Sequence, residues 1–385
     1  MADRATATLG NKGARGVAVP FVDLRPATDA IRRDLLGDIE ELLDTGSFIN
    51  GPAVESFERE FARACGRRFA VGTANGLDAL TIALETYGLE EGDEVIVPAM
   101  TFVATFEAVV RAGGRPVAVD VREDDLGLDP AATAAAVGRR TRALLPVHLH
   151  GQMADVRALG ALAARHGLEL LEDACQAHGA QRDGVTAGAA GQAAAFSFYP
   201  SKNLGAMGDA GVLVLDDEAA TAKARALREH GETRPYRSDY VGLTSRLDTL
   251  QALVLLRKLP LLERWNAERR EAAAFYADAL AGVGDLRLPT TVPGATHVWH
   301  VYAVRTAVPA ALGDFLARRG IGTKRHYPEA PPHSTAFAYL RHRPGAFPVA
   351  EAVARETISL PLFAGITEAQ LHAVVEAIRE FFARG

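Results

Sequence analysis

Ala195-Phe196-Ser197-Phe198-Tyr199-Pro200-Ser201-Lys202-Asn203-Leu204-Gly205-Ala206-Met207-Gly208-Asp209-Ala210-Gly211 runs from an apolar, β-prone segment into a glycine-rich loop. This is the pattern of a buried strand that delivers a lysine to its carboxyl end. The chain carries 42 basic side chains, of which only five are lysine, so arginine holds nearly every other basic position. A solvated cationic face accepts either side chain, whereas bonding to an aldehyde needs a primary amine that can lose its proton. Lys202 therefore reads as chosen for chemistry. Lys12, Lys223, Lys258 and Lys324 lie in polar or arginine-rich surroundings and read as surface or helix-face charges.

Working outward, Leu168-Glu169-Leu170-Leu171-Glu172-Asp173-Ala174-Cys175-Gln176-Ala177-His178-Gly179-Ala180 is a second short apolar strand that ends on a carboxylate. Asp173 precedes Lys202 by 29 residues (202 minus 173), room for a connection and a return to the same sheet edge. Pyridoxal phosphate acts as an electron sink only while its ring nitrogen keeps a proton, and a buried aspartate beside that nitrogen holds it there. The same two residues could instead form a buried salt bridge, or Asp173 could cap a helix. A third segment, Phe69-Ala70-Val71-Gly72-Thr73-Ala74-Asn75-Gly76-Leu77-Asp78-Ala79-Leu80-Thr81-Ile82-Ala83-Leu84, passes from a strand through a small-residue turn into a helix. The free N–H groups and positive dipole end of such a helix start bind phosphate.

From about Phe69 to Leu215, β-prone runs alternate with alanine-rich helical ones, among them Glu94–Val97, Arg115–Val121 and Ala143–Val147. The alternation predicts an α/β fold with a mostly parallel sheet between helices, and ligands in such folds gather beyond the carboxyl ends of the strands. After Leu247 a helical pattern covers Asp248–Tyr276, scattered strands such as His300–Arg305 follow, and Glu368–Phe382 closes the chain as a helix. Three regions are expected: a disordered tail over 1–18, a large domain over 19–250 and a smaller α+β C-terminal domain over 251–385.

The three segments, in this order, resemble the DegT/DnrJ/EryC1/StrS family of sugar aminotransferases, a branch of the fold type I pyridoxal-phosphate enzymes. The similarity runs from about Val19 to the C-terminus. Ser47-Phe48-Ile49-Asn50-Gly51-Pro52, Gly92-Asp93-Glu94-Val95-Ile96-Val97-Pro98, Thr101-Phe102-Val103-Ala104-Thr105, Pro146-Val147-His148-Leu149-His150-Gly151, Ser245-Arg246-Leu247-Asp248 and His326-Tyr327-Pro328 agree with it.

The resemblance implies that Lys202 bonds the aldehyde of pyridoxal 5'-phosphate, Asp173 pairs with its ring nitrogen, Gln176 with its ring hydroxyl, and Phe102 stacks on the ring. Ser197 and the backbone of Asn75, Gly76 and Leu77 would hold the phosphate. Phe48, His326 and Tyr327 would face the substrate. It further implies a homodimer with the active site at the subunit boundary, a nucleotide-linked keto-sugar as substrate, and glutamate as amino donor. Where relatives carry an asparagine that touches the neighbouring subunit's phosphate, this chain reads Gly242-Leu243-Thr244-Ser245-Arg246. A threonine hydroxyl can still donate there but reaches less far. A keto-inositol or other cyclitol would use the same cofactor machinery. A non-catalytic regulatory member would not be expected to keep both Lys202 and Asp173, and a dehydratase on this scaffold commonly replaces the lysine.

The net charge of −6 argues against nucleic acid as a partner, so an anionic substrate needs a local cationic patch. Cys65 and Cys175, the only cysteines, are too few for a disulfide framework and indicate a reducing, cytoplasmic setting. No apolar run suits a secretory signal or a membrane span. His148, His150 and His178 lack zinc-like spacing and cysteine partners, and no Gly-x-Gly-x-x-Gly follows a strand, which disfavours a nicotinamide enzyme. His326 and His333 are expected to face a substrate or cap a loop.

Overall fold

The computed structural model describes residues 18–384, and the expected tail, except Ala18, lies outside them. Seven strands form the central sheet: β1 (Phe69–Thr73), β2 (Glu94–Pro98), β3 (Arg115–Val119), β4 (Thr141–Leu144), β5 (Glu169–Asp173), β6 (Ala193–Ser197) and β7 (Gly211–Leu215). Their order is β1-β7-β6-β5-β4-β2-β3. Only β7 runs against the rest, antiparallel to both of its neighbours. The other pairings are parallel.

Both faces of the sheet are buried, which is why its strands read as continuous apolar runs. Along β7, Val212 and Val214 pack into a core with Phe57, Phe61, Phe196 and Phe198. Leu213 and Leu215, one residue out of phase, pack into another with Leu80, Ile82 and Val97. The period-2 alternation thus feeds two helical layers.

β6 is shorter than the apolar run suggests. The ladder ends at Ser197; Phe198 stays fully buried, whereas Tyr199, just before Pro200, is 55 % exposed.

After the sheet, helices Thr249–Lys258 and Leu262–Leu280 follow, joined by a single 3-10 turn. Further on, Tyr302–Arg305 pairs antiparallel with Thr357–Leu360, under helices Pro309–Arg318 and Glu368–Ala383. Tyr276, Tyr302, Leu312, Ile358 and Val374 make a core of their own there. The closing helix starts on a reciprocal capping box between Thr367 and Gln370, which satisfies N–H groups the first turn would leave bare. Among the described residues no helix is long and apolar enough to cross a membrane.

Candidate active site

The sheet register brings the three chemistry-bearing segments to one rim. Thr73, Gly211 and Ser197 lie side by side across β1, β7 and β6, and Asp173 pairs with Ala195. The carboxyl ends of β1, β5 and β6 therefore open on a common crevice, where an α/β sheet places its ligands.

Asp173 is buried and its carboxylate is held from two sides. Thr105 Oγ1 donates to Oδ2 at 2.8 Å, and the backbone N–H of Cys175 donates to Oδ1 at 3.2 Å. The Thr105 hydroxyl, having given its proton to Asp173, accepts from Thr101 Oγ1 at 2.7 Å. Burial lowers the Lys202 pKa from the ordinary lysine value, against the opposing influence of Cys175 and Asp173. Desolvation penalises the ammonium more than the free amine, the form that attacks a carbonyl.

A candidate anion cradle is built from helix Gly76–Thr86 and the end of β6. Asn75 caps the helix by accepting from the Asp78 N–H at 2.8 Å. Among the described residues the N–H groups of Gly76 and Leu77 find no acceptor within the chain, as expected of a helix start that waits for an anion. The position must be glycine: a Cβ on Gly76 would sit 2.7 Å from Ser197 Cβ and 2.8 Å from Cys175 Sγ. A side chain there would fill the space beside Ser197. Ser245 steadies the turn, accepting from the Ala74 N–H at 3.1 Å and donating to Asp78 Oδ2 at 2.7 Å. An amine, a buried carboxylate and an anion cradle on one rim fit the donor set that pyridoxal 5'-phosphate requires.

Gln176 accepts from the His150 N–H at 2.7 Å and donates to the Tyr327 hydroxyl at 3.0 Å, which leaves one amide N–H for a ligand. The Tyr327 ring in turn lies tilted by 39° against the half-exposed Phe102, 5.4 Å between centroids. His326 bonds Ser359 Oγ at 2.8 Å and stacks on Phe21 at 5.6 Å; burial lowers its pKa to about 3, so it stands there as a neutral ring. His333 bonds Glu351 at 2.9 Å and serves the loop that Glu351 also closes by accepting from Gly345 and Phe347.

Two expected residues, Phe48 and Thr244, are exposed at the surface. Among the described residues no hydrogen bond joins Phe48 or Thr244 to the Lys202 group. Phe48 is exposed and its carbonyl accepts from Thr249. Thr244 Oγ1 contacts the His230 ring at 3.0 Å. Glu229 accepts from Asn50 at 2.6 Å and from Arg246 at 2.8 Å and bridges Thr244 in a short β contact.

Other residues come out differently from their sequence context. Lys258 is no surface charge: it is 5 % exposed, and its ammonium donates at 2.7 Å to the Gly205 carbonyl in the lysine loop. Its long stem is what lets an apparent helix-face cation reach inward. Lys223 likewise donates to the carbonyls of Glu85 and Thr86. Thr105, Asn203 and Asn266 were assigned no role from the sequence: the first two stood only as neighbours of Phe102 and Lys202, and Asn266 is one polar residue within a helix. His148 is buried against Glu172 at 2.9 Å, and Glu172 also accepts from the N–H groups of Gly188, Ala190 and Gly191. That cluster holds a loop on the far side of β5 from Asp173.

The chain is similar to known proteins over nearly its whole length. A dTDP-3-amino-3,4,6-trideoxy-alpha-D-glucose transaminase of Streptomyces venezuelae is 44% identical over 366 residues, 95% of this chain and 97% of the relative. A pleiotropic regulatory protein of Geobacillus stearothermophilus is 41% identical over 366 residues, 94% of this chain and 98% of the relative. The crystal structure of S. venezuelae DesV superposes with a TM-score of 0.93 at 44% identity, covering 96% of this chain and 99% of that one. The DegT/DnrJ/EryC1/StrS aminotransferase family model matches residues 29–379, and the chain belongs to that family.

Proposed function

We propose that the protein uses pyridoxal 5'-phosphate to convert a nucleoside-diphosphate-linked keto-sugar into the amino-sugar, with L-glutamate as amino donor. The observation that carries this reading is the meeting of a desolvated Lys202, a Thr105-anchored Asp173 and the acceptor-free start of helix Gly76–Thr86 on one rim. When bound, the cofactor supplies an electron sink for the charge left on a substrate carbon that loses its proton.

The chain's own residues do the rest. The N–H groups of Gly76 and Leu77, with Ser197, would bind the phosphate. Asp173 would hold the proton on the ring nitrogen, and Gln176 would orient the ring hydroxyl. Lys202 would anchor the aldehyde and, as a free amine, would carry a proton to and from the substrate carbon. Phe102 would stack on the cofactor ring, with Tyr327 beside it. One site must take two unlike substrates in turn, which demands ping-pong kinetics.

The name of the Geobacillus relative favours a regulatory role as a second reading. Absorbance separates the two. Glutamate alone is expected to bleach the visible band of the cofactor-loaded protein, and a nucleotide-linked keto-sugar to restore it. No bleaching with glutamate or glutamine would leave the regulatory reading; restoration by a keto-cyclitol alone would move the substrate to the cyclitols.

A homodimer is the expected smallest active unit. Phe48, Ile49, Tyr236, Tyr240, Val241 and Leu250 are large apolar side chains left 41 % or more exposed, and several flank Thr244. Exposed apolar side chains grouped in this way are characteristic of interaction surfaces. Sedimentation at assay concentration should give about 82 kDa, twice 40.9 kDa; a fully active monomer would refute the assignment.

A further inference from the structure

Asn203 follows the lysine directly, and its side-chain amide is saturated by partners outside the lysine loop. Nδ2 donates to Asn266 Oδ1 at 2.8 Å and to the Val298 carbonyl at 2.8 Å, while Oδ1 accepts from His300 Nδ1 at 3.2 Å. Asn266, on helix Leu262–Leu280, extends the connection: its Nδ2 donates at 2.9 Å to the carbonyl of His178. His178 ends the turn that starts at Asp173. The next residue, Gly179, has φ +82°, and a Cβ there would press on Asn266 Nδ2 at 3.1 Å.

These bonds close a circuit. One route from Lys202 to Asp173 runs back along β6 and across its ladder to β5. The other runs through Asn203, Asn266 and His178. A loop held only at its strand end can swing its side chains, whereas a loop tied at both ends holds them in place. Asn203 is 5 % exposed and Asn266 fully buried. A buried amide pair adds little net stability over an apolar pair of the same shape, but it accepts one arrangement and rejects others. Adjacent contacts reinforce the tie: Lys258 grips the Gly205 carbonyl and Gln251 accepts from the Met207 N–H at 2.8 Å.

We propose that Asn203 and Asn266 are positioning residues that fix Lys202 against Asp173 through this second, side-chain route. The inference rests on Lys202 being the reactive amine, and the test separates failure of that reading from failure of this one. In cofactor-free protein, acetic anhydride modification of Lys202 is followed by peptide mass spectrometry across pH, which yields the midpoint of the amine's titration. Wild type is expected to titrate below an ordinary lysine. Asn203→Leu and Asn266→Leu should move the midpoint up by at least about half a pH unit, since a freed side chain regains water. They should also cut kcat of the loaded enzyme by roughly tenfold or more with KM little changed, the signature of lost alignment.

Leu312→Ala, in the separate C-terminal core, serves as the stability control and should lower Tm without moving the midpoint. If the leucine variants do not fold, Asn203→Ser and Asn266→Ser carry the same expectation. Unchanged midpoints in the asparagine variants would overturn the proposal. A wild-type midpoint in the ordinary lysine range would instead overturn the reading of Lys202 on which it stands.

Discussion

Replacing Lys202 with alanine is expected to cut kcat by at least about 10⁴-fold, roughly 5 kcal/mol of barrier, while leaving the protein folded. The size follows from the two roles proposed for one atom, the anchor for the aldehyde and the base that carries the proton. Neither Lys258, committed to the Gly205 carbonyl, nor Lys223, committed to Glu85 and Thr86, is free to substitute. Hydride reduction of the loaded wild type, followed by peptide mapping, should leave the cofactor's mass on Lys202; a label elsewhere would sink the assignment.

Stability gives an independent reading of the same residue. A lysine whose pKa is lowered by folding binds its proton more tightly in the unfolded chain, so it destabilises the native state at every pH below its folded pKa. That cost fades as pH rises from the folded pKa toward 10.5, the unperturbed value. Cofactor-free Lys202→Met should therefore melt higher than wild type at neutral pH, with the gap closing toward pH 10.5. A variant that melts lower than wild type at neutral pH would mean the ammonium is stabilised by its surroundings rather than penalised.

Why some of this was legible in the sequence and some was not has physical causes. Lys202 and Asp173 stand out because their chemistry admits few residue types and because short apolar strands deliver both. The reversed direction of β7 is invisible in Gly211–Leu215, which reads like any buried strand. What sets it is the connection: residues 198–210 contain no crossover helix, and without one a strand returns antiparallel. Thr105 was unreadable for another reason. Its role exists only because helix Ala104–Arg111 lies beside the end of β5, a contact between residues 68 apart. Asn203 and Asn266, 63 apart, are silent in the same way. Phe48 and Thr244 were recognised by resemblance alone, and both are exposed side chains.

Asp173→Asn tests the other half of the chemistry. Asparagine keeps the volume and one acceptor, so the Cys175 N–H and the surrounding core have little reason to move. It replaces the second carboxylate oxygen, which now accepts from Thr105, by an amide that can only donate there. The charge that would hold a proton on the cofactor's ring nitrogen disappears, and the electron sink weakens when the substrate carbon loses its proton. Binding of the phosphate, proposed to rest on Gly76, Leu77 and Ser197, should be untouched. The expected result is a loss of roughly a hundredfold or more in kcat, about 2.7 kcal/mol, with cofactor affinity changed by less than about tenfold. Thr105→Val should show the same sign at smaller size, because it leaves the charge in place and removes only the bond that aims it. Single-turnover kinetics with glutamate would locate the Asp173→Asn defect in the proton-removal step. A loss under about tenfold, roughly 1.4 kcal/mol, or a defect confined to cofactor affinity, would reduce Asp173 to a structural carboxylate that fixes the turn between β5 and His178.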